Sequence, residues 1–261
     1  MRYYHNSDMQ LQWALSALSQ YGPISGTENI LDFGAGDGKI SALISNLVPN
    51  GSITAVDLSP NMSEFASAFY DQENYPNLSF KTLQDSNFKK WVGKQSFDLA
   101  LSFSVLHLTQ NPGVILDNIA RRLTTKGQFV ATWPVGQTEE SLELVNKVAQ
   151  AHKFSIPLPS KEQLQMQQID KIPEIFAKTQ LELKTCELVM TKNPFLNKQE
   201  LIEWFIGTMS ANWNIPSAKR QDFFEDLADR HIAANQNRWT SGLVYLEIPR
   251  VNIVASRAPL N

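Results

Sequence analysis

Gly34, Gly36 and Gly38 fall within five residues of the stretch ILDFGAGDGK, and the acidic Asp32 stands two positions ahead of the first. A turn needs one or two glycines. Three in alternation permit positive φ and let a ligand approach bare backbone at the start of a helix. A dinucleotide would place its pyrophosphate there and uses the spacing GxGxxG. The spacing here is GxGxG, and a carboxylate so close repels a pyrophosphate but suits an ammonium. S-adenosyl-L-methionine, with an ammonium and a carboxylate at one end and a ribose in the middle, meets those terms better. Asp57, nineteen residues past Gly38, is placed to accept from both ribose hydroxyls. Asp85, in LQDSNF, is placed to accept from the adenine amino group, with the backbone of Ser86 beside it. Dinucleotide enzymes also carry an acid near the position of Asp57, so the weight rests on the three acids together. The chemistry such a set supports is displacement at the methyl carbon of a sulfonium.

That displacement asks the protein to align an acceptor and exclude water. A carboxylate, with a pKa near ~4, is already ionised at neutral pH and needs no base. A phenol, alcohol or amine can need one. The candidate catalytic residue is His107, in SVLHLTQ; both a proton-transfer role and a packing or cofactor-contact role are open to it. His5, His152 and His231 have no partner spacing that marks a metal or catalytic site, and HExxH and CxxC are absent, so no metal is expected.

Hydrophobic periodicity supplies the elements that would hold these groups. Ile30 to Phe33 read as a strand ending at the glycines, and Ile40, Leu43, Ile44 and Leu47 as one face of the following helix. Ser52 to Val56 make a second strand, closed by Asp57. Ser59 then caps a helix with Pro60 at its first position and Met62, Phe65, Ala66 and Phe69 along one face. LSFKTL and FDLALSF are strands three and four. A helix opens at Asn111-Pro112, shows Leu116, Ile119, Ala120 and Leu123 on one face and stops at Gly127, and GQFVATW is strand five. Strands alternating with helices imply a mostly parallel sheet with helices on both faces. Beyond it, residues 139–152, 160–179 and 197–239 read as helical, with Asn197 and Glu200 as a capping box. A strand covers about 181–191. LVYLEIPRVNIVAS is a last strand in which Pro249 predicts a bulge or an edge position.

The segments LDFGAGDG, VDLSPNM, LQD, FDLALSFSVLHL and LTTKGQFVA, in order and spacing, resemble the class I S-adenosylmethionine-dependent methyltransferases over roughly residues 25–135. The resemblance implies a Rossmann-like, seven-stranded, mostly parallel α/β sheet whose last strand is antiparallel, with a C-terminal helical cover. It implies a single domain over 1–261, with the N-terminal helix and cofactor core in 1–135 and substrate-cover insertions at 139–179 and 197–239. It places Tyr3, Gln10, Asp32, Gly34, Ala35, Gly36, Asp57, Leu58, Asp85, Ser86, Ser102 and Phe103 against S-adenosyl-L-methionine and its product S-adenosyl-L-homocysteine. The flanks, LEIPRVNIVASR, IEWFIGT and the start with Tyr3, Gln10 and Gln12, are similar to the trans-aconitate and juvenile-hormone-acid methyltransferases. That similarity implies a small organic acid as acceptor and a methyl ester as product. Gln10 and Gln12 stand where the trans-aconitate group carries arginines, and Leu108 where both groups carry tryptophan after the residue matching His107.

The helical segment NKQELIEWFIGTMSANW has an apolar stripe too wide for one core face, and could offer a second face to a ligand. Trp133, Trp213, Phe223, Phe224, Trp239 and Tyr245 are candidates for an aromatic pocket, and Arg250 for pairing with an acid group. On the N-terminal helix, Leu11, Ala14, Leu15 and Leu18 form the packed face, with Gln10 on a more polar side. Methylation of a nitrogen or hydroxyl, catalytically silent cofactor binding and a nicotinamide-dependent oxidoreductase are the competing readings.

The net charge of −3 over 261 residues argues against a nucleic-acid partner. The single cysteine, Cys186, excludes an intrachain disulfide and fits a reducing compartment. With no apolar h-region at the start and no 18-residue apolar stretch, a soluble, cytoplasmic protein without a membrane partner is expected. Oligomeric state is left open.

Overall fold

The computed structural model describes residues 8–83, 95–135, 139–157, 164, 168–209, 213, 215–235 and 243–259. The first half runs α1 (Asp8–Tyr21), β1 (Asn29–Phe33), α2 (Lys39–Ser45), β2 (Ser52–Asp57), α3 (Pro60–Phe69), β3 (Leu78–Thr82) and β4 (Phe97–Phe103). A 3₁₀ turn (Leu106–Leu108), α4 (Pro112–Ala120) and β5 (Leu123–Pro134) complete it. Then come α5 (Glu139–Ala151), α6 (Lys171–Phe176), β6 (Leu181–Phe195), α7 (Lys198–Met209), α8 (Arg220–Asn235) and β7 (Val244–Arg257). None of these helices is long and apolar enough to cross a membrane.

The strands form one seven-stranded sheet in the order β3-β2-β1-β4-β5-β7-β6. The five from β3 to β5 are parallel, and β7 runs antiparallel to both β5 and β6. The order reverses beside β1, so the loops after β1 and β4 flank the crevice where an open α/β sheet binds its ligand. One face of the sheet buries Phe129, Trp133, Val251 and Ile253 with α4 and α6; the other buries Ile30, Leu101, Val130 and Val254 under α1 and α2. A third cluster joins α5, α7, α8 and the start of β7, and Met9 of α1 packs against it.

Several local expectations are corrected. On α2 the buried residues are Ser41, Ala42, Ile44 and Ser45, while Leu43 and Leu47 are exposed. Small side chains let this helix lie close to β1, and that contact sets its rotation. The helix α4 stops at Ala120, not at Gly127. Leu123 already pairs with Phe97, a bulge follows, and Gly127 lies inside β5 because a Cβ there would stand 2.8 Å from that of Leu123. The helix expected over 160–179 is reduced, among the described residues from 168 onward, to the short α6 preceded by a turn. Pro249 is not in a bulge: it pairs with Met190 in a strand that lies between two others, at the point where β5 no longer pairs, so the expected edge position holds locally. Its missing N–H faces β5, which has ended at Pro134, and its carbonyl accepts from Val135 N–H at 2.9 Å.

The capping box forms by half, because Glu200 reaches past the Asn197 N–H to the residue before it. Asn197 Oδ1 accepts from Glu200 N–H at 3.0 Å, and Glu200 returns the contact to Leu196 N–H at 2.5 Å.

Candidate active site

The β1–α2 loop is built around three left-handed glycines. Gly34, Gly36 and Gly38 have φ of 86°, 55° and 80°. The N–H groups of Gly34 and Ala35 both donate to the Val56 carbonyl, at 2.7 and 3.0 Å, which folds the loop back over the end of β2. From the other side Val105 closes on it: a Cβ on Gly34 would lie 2.2 Å from Val105 Cγ2. The loops after β1, β2 and β4 are thereby drawn to one point.

Asp57 sits at that point. One carboxylate oxygen accepts from Gly36 N–H at 2.9 Å and the other from Ser59 N–H at 2.8 Å. A carboxylate has about four acceptor positions, so each oxygen keeps capacity for one further donor, as two vicinal ribose hydroxyls would provide. Asp32 is 2% exposed and takes a 2.5 Å hydrogen bond from Ser41 Oγ. Burial pushes its pKa from 3.8 up to about 6, the Ser41 bond works against that rise, and the nearby Asp57 charge adds to it. An ammonium placed beside Asp32 would supply the missing positive charge.

Gln10 lies on α1, the helix tied to the end of that loop by a 2.9 Å ion pair between Asp8 and Lys39, which follows Gly38. The Gln10 Oε1 is buried and has no hydrogen-bond partner among the described residues. The packed face of α1 is Trp13, Ala14, Ala17 and Leu18, with Leu15 exposed, so Gln10 lies along the buried side and not on the polar one. An orphaned acceptor, a doubly held carboxylate with capacity to spare and a bare glycine loop fit the aminoacyl and ribose parts of S-adenosyl-L-methionine.

The β4 end carries the remaining candidates. His107 lies in the 3₁₀ turn one residue beyond Leu106; its Nδ1 is buried without a partner among the described residues, and burial pushes its pKa from 6.5 down to about 4. The side chain of Phe103 packs in the sheet core, and that of Ser102 is fully buried with an Oγ that has no partner among the described residues. Ala35 is half-buried and Leu58 is 40% exposed. Tyr3, Asp85 and Ser86 lie outside the described residues, as do His5 and Trp239.

Of the aromatic pocket candidates, Phe223 and Phe224 are fully buried inside the helical cluster and pack edge-to-face at 5.0 Å, and Trp133 is core. The wide stripe of α7 is filled by α8, α5 and the start of β7. Sequence reasoning missed Ser41, Val105 and Ser104. Ser104 holds φ 57° and donates its N–H to the Thr132 carbonyl at 3.0 Å, which turns the chain sharply out of β4. A left-handed serine leaves no mark in a single sequence.

Residues 24–187 match the family model of a methyltransferase domain. A protein of Invertebrate iridescent virus 6, 235L, named for a methyltransferase, is 27% identical over 152 residues. That match spans 58% of this chain and about half, 53%, of the viral protein's length. The trans-aconitate 2-methyltransferase of Escherichia fergusonii is 22% identical over 245 residues, 90% of this chain and 88% of its own. Among solved structures, the O-methyltransferase of a trans-AT PKS multienzyme of Brevibacillus brevis, in complex with S-adenosyl-L-homocysteine, superposes with a TM-score of 0.55 at 14% identity. It covers 97% of this chain and 72% of that one. Because that family model matches more than half of the chain, the chain belongs to the methyltransferase domain family and is an S-adenosylmethionine-dependent methyltransferase.

Proposed function

We propose that the chain transfers a methyl group to a carboxylate oxygen of a small organic acid, giving a methyl ester. One observation carries this reading: His107, in the turn that follows β4, has a buried Nδ1 that no described residue orients as a general base would need, and burial lowers its pKa to about 4. Taking a proton from a phenol of pKa ~10 would then run uphill by about 8 kcal/mol. A carboxylate acceptor is already ionised and asks for no such step. The full-length similarity to proteins named trans-aconitate 2-methyltransferase supports the same class of acceptor.

The cofactor, when bound, supplies a methyl group on a cationic sulfur that leaves as a neutral thioether. Asp57 and the Gly34–Gly36 backbone would hold its ribose, and Asp32 and Gln10 its aminoacyl end. Asp85 and Ser86 are proposed for the adenine. His107, kept neutral, would line the acceptor side as a hydrogen-bonding group and not as a base. α1 and the cluster of α5, α7 and α8 would exclude water and serve as the substrate cover. The single, half-buried Cys186 and the net charge of −3 fit a protein working free in the cytoplasm.

A panel of carboxylic acids, amines and phenols, assayed for methyl transfer, tests the reading. Products that hydrolyse in mild base are expected; transfer only to amines or phenols, giving alkali-stable products, would overturn it.

A further inference from the structure

Beneath α1 a cation is shut away without a counter-ion. Arg250, on β7, is 2% exposed, and its Nε has no hydrogen-bond partner among the described residues. Its Nη1 donates to Thr191 Oγ1. Burial alone shifts its pKa, downward, with no acid contributing. Over it lies the ring of Trp13, 3% exposed, whose centroid is 5.3 Å from Arg250 Cζ. The indole Nε1–H of Trp13 is also without an acceptor among the described residues. Two residues along the strand, Asn252 Nδ2 donates to Ser16 Oγ at 3.1 Å, which fixes α1 against this part of β7.

The lone guanidinium is unfavourable as it stands. Burying a charge is tolerated when a partner compensates it; the Trp13 ring face and the Thr191 hydroxyl do so in part, and no carboxylate among the described residues pairs with it. Arg250 and Trp13 offer donors only; Asn252 Oδ1 and Gln10 Oε1 are also buried without partners among the described residues and bond neither of them, and an anion is a ligand that satisfies both donors. A planar carboxylate suits a guanidinium best, because it can take two N–H bonds in parallel. Position narrows the role. Because β7 runs antiparallel, Arg250 pairs with Pro134, the last residue of β5, and so stands at the carboxyl end of the parallel strands. It is three strand spacings, about 14 Å, from β1 and its glycine loop. That places it beyond the cofactor loops, toward the side where an acceptor enters.

We propose that Arg250 and the Trp13 indole N–H form a carboxylate-binding subsite that takes the acid group of the methyl acceptor. The proposal rests on the ester-forming reading above and names the side chains that would make it selective for acids. α1 covers the pair, so binding is coupled to a shift of that helix, whose polar ties to the body include the Lys39–Asp8, Ser16–Asn252 and Gln20–Glu187 contacts. The same chemistry could come from the carboxylate of the cofactor's own aminoacyl end, and the experiment must separate the two.

The test uses full-length protein saturated with S-adenosyl-L-homocysteine and titrates octanoate, benzoate and trans-aconitate by calorimetry. At least one acid is expected to bind, about tenfold or more weakly to Arg250→Gln and less weakened in Arg250→Lys. Trp13→Phe, which keeps the ring and removes the donor, should weaken the same acid roughly threefold. Homocysteine-cofactor affinity should stay unchanged in all three variants. Acid binding indifferent to Arg250→Gln, or absent from the wild type, overturns the subsite. So does a loss of S-adenosyl-L-homocysteine affinity in Arg250→Gln while 5′-methylthioadenosine, which lacks the aminoacyl end, binds normally: the cation then serves the cofactor. If Arg250→Gln does not fold, unchanged acid binding in Trp13→Phe overturns it. Esters formed with a KM indifferent to these variants would sink the subsite and leave the ester-forming reading standing. Transfer to amines or phenols alone would sink that reading.

Discussion

Asp32 and His107 are both buried ionisable groups, pushed in the directions that keep each uncharged. For Asp32 the folded-state pKa of about 6 lies above the ordinary 3.8. The folded chain therefore keeps a proton that the unfolded chain has released, and stability rises as pH falls from about 6 toward 4. The gain is on the order of 3 kcal/mol at most. Asp32→Asn is expected to flatten that limb relative to the wild type in urea unfolding followed across pH, and to weaken cofactor binding by removing the charge. A parallel pH dependence in the two proteins would show that Asp32 is not its source. For His107 the expected outcome is the absence of a titration: His107→Gln should lower the kcat for an acid acceptor by less than about tenfold, without changing the pH–rate profile between 6 and 8. Loss of an acidic limb in the variant would restore the base role.

At the scale of elements, the glycine loop and α1 do different work. The loop is held by its own backbone and by Val105, so its tolerance is set by space. Gly34→Ala adds a Cβ 2.2 Å from Val105 Cγ2 at φ 86°, which should cost about 3 kcal/mol from left-handed strain and overpacking together. For a chain of this size that is roughly 6–12 °C in melting temperature. Combining it with Val105→Ala should recover part of the loss, because the clash is relieved and the φ is not. α1 instead carries an unsatisfied acceptor. Gln10→Ala removes a buried oxygen that none of the described residues satisfies, so the melting temperature should hold or rise slightly. S-adenosyl-L-homocysteine affinity should fall by about fivefold. A clear loss of stability in this variant would mean that Gln10 is structural.

The whole molecule couples these parts through the sheet. β7 reaches between β5 and β6, and its first residues belong to the helical cluster while its later ones belong to the sheet core. The same strand thus ties cover to core at the carboxyl end of the parallel strands, and α1 packs across β4, β5 and β7 beside the junction. Cofactor held by loops from β1 and β2 under α1 should stabilise the entire assembly. At a hundredfold excess over its Kd, S-adenosyl-L-homocysteine is expected to add about 2.7 kcal/mol and raise the melting temperature in a single transition. NAD should leave it where it is; a shift with NAD and none with the homocysteine cofactor would contradict the cofactor assignment.

Read alone, the order of residues determined the parallel core, the glycine loop and the acids Asp32 and Asp57, because each depends on local chemistry: apolar periodicity, missing Cβ atoms, a charge at a strand tip. It also marked Asn197–Glu200 as a cap. Tertiary structure decided what distance in the chain hides. Helix α2 turned its small residues inward because Ser41 meets Asp32, and Gly127 was absorbed into β5 because Leu123 pairs with Phe97. Pro249 entered an interior strand because its neighbour had already ended. The unpaired Arg250 under Trp13 belongs to the same class: 237 positions of numbering separate the two, and only packing shows that no acid stands between them.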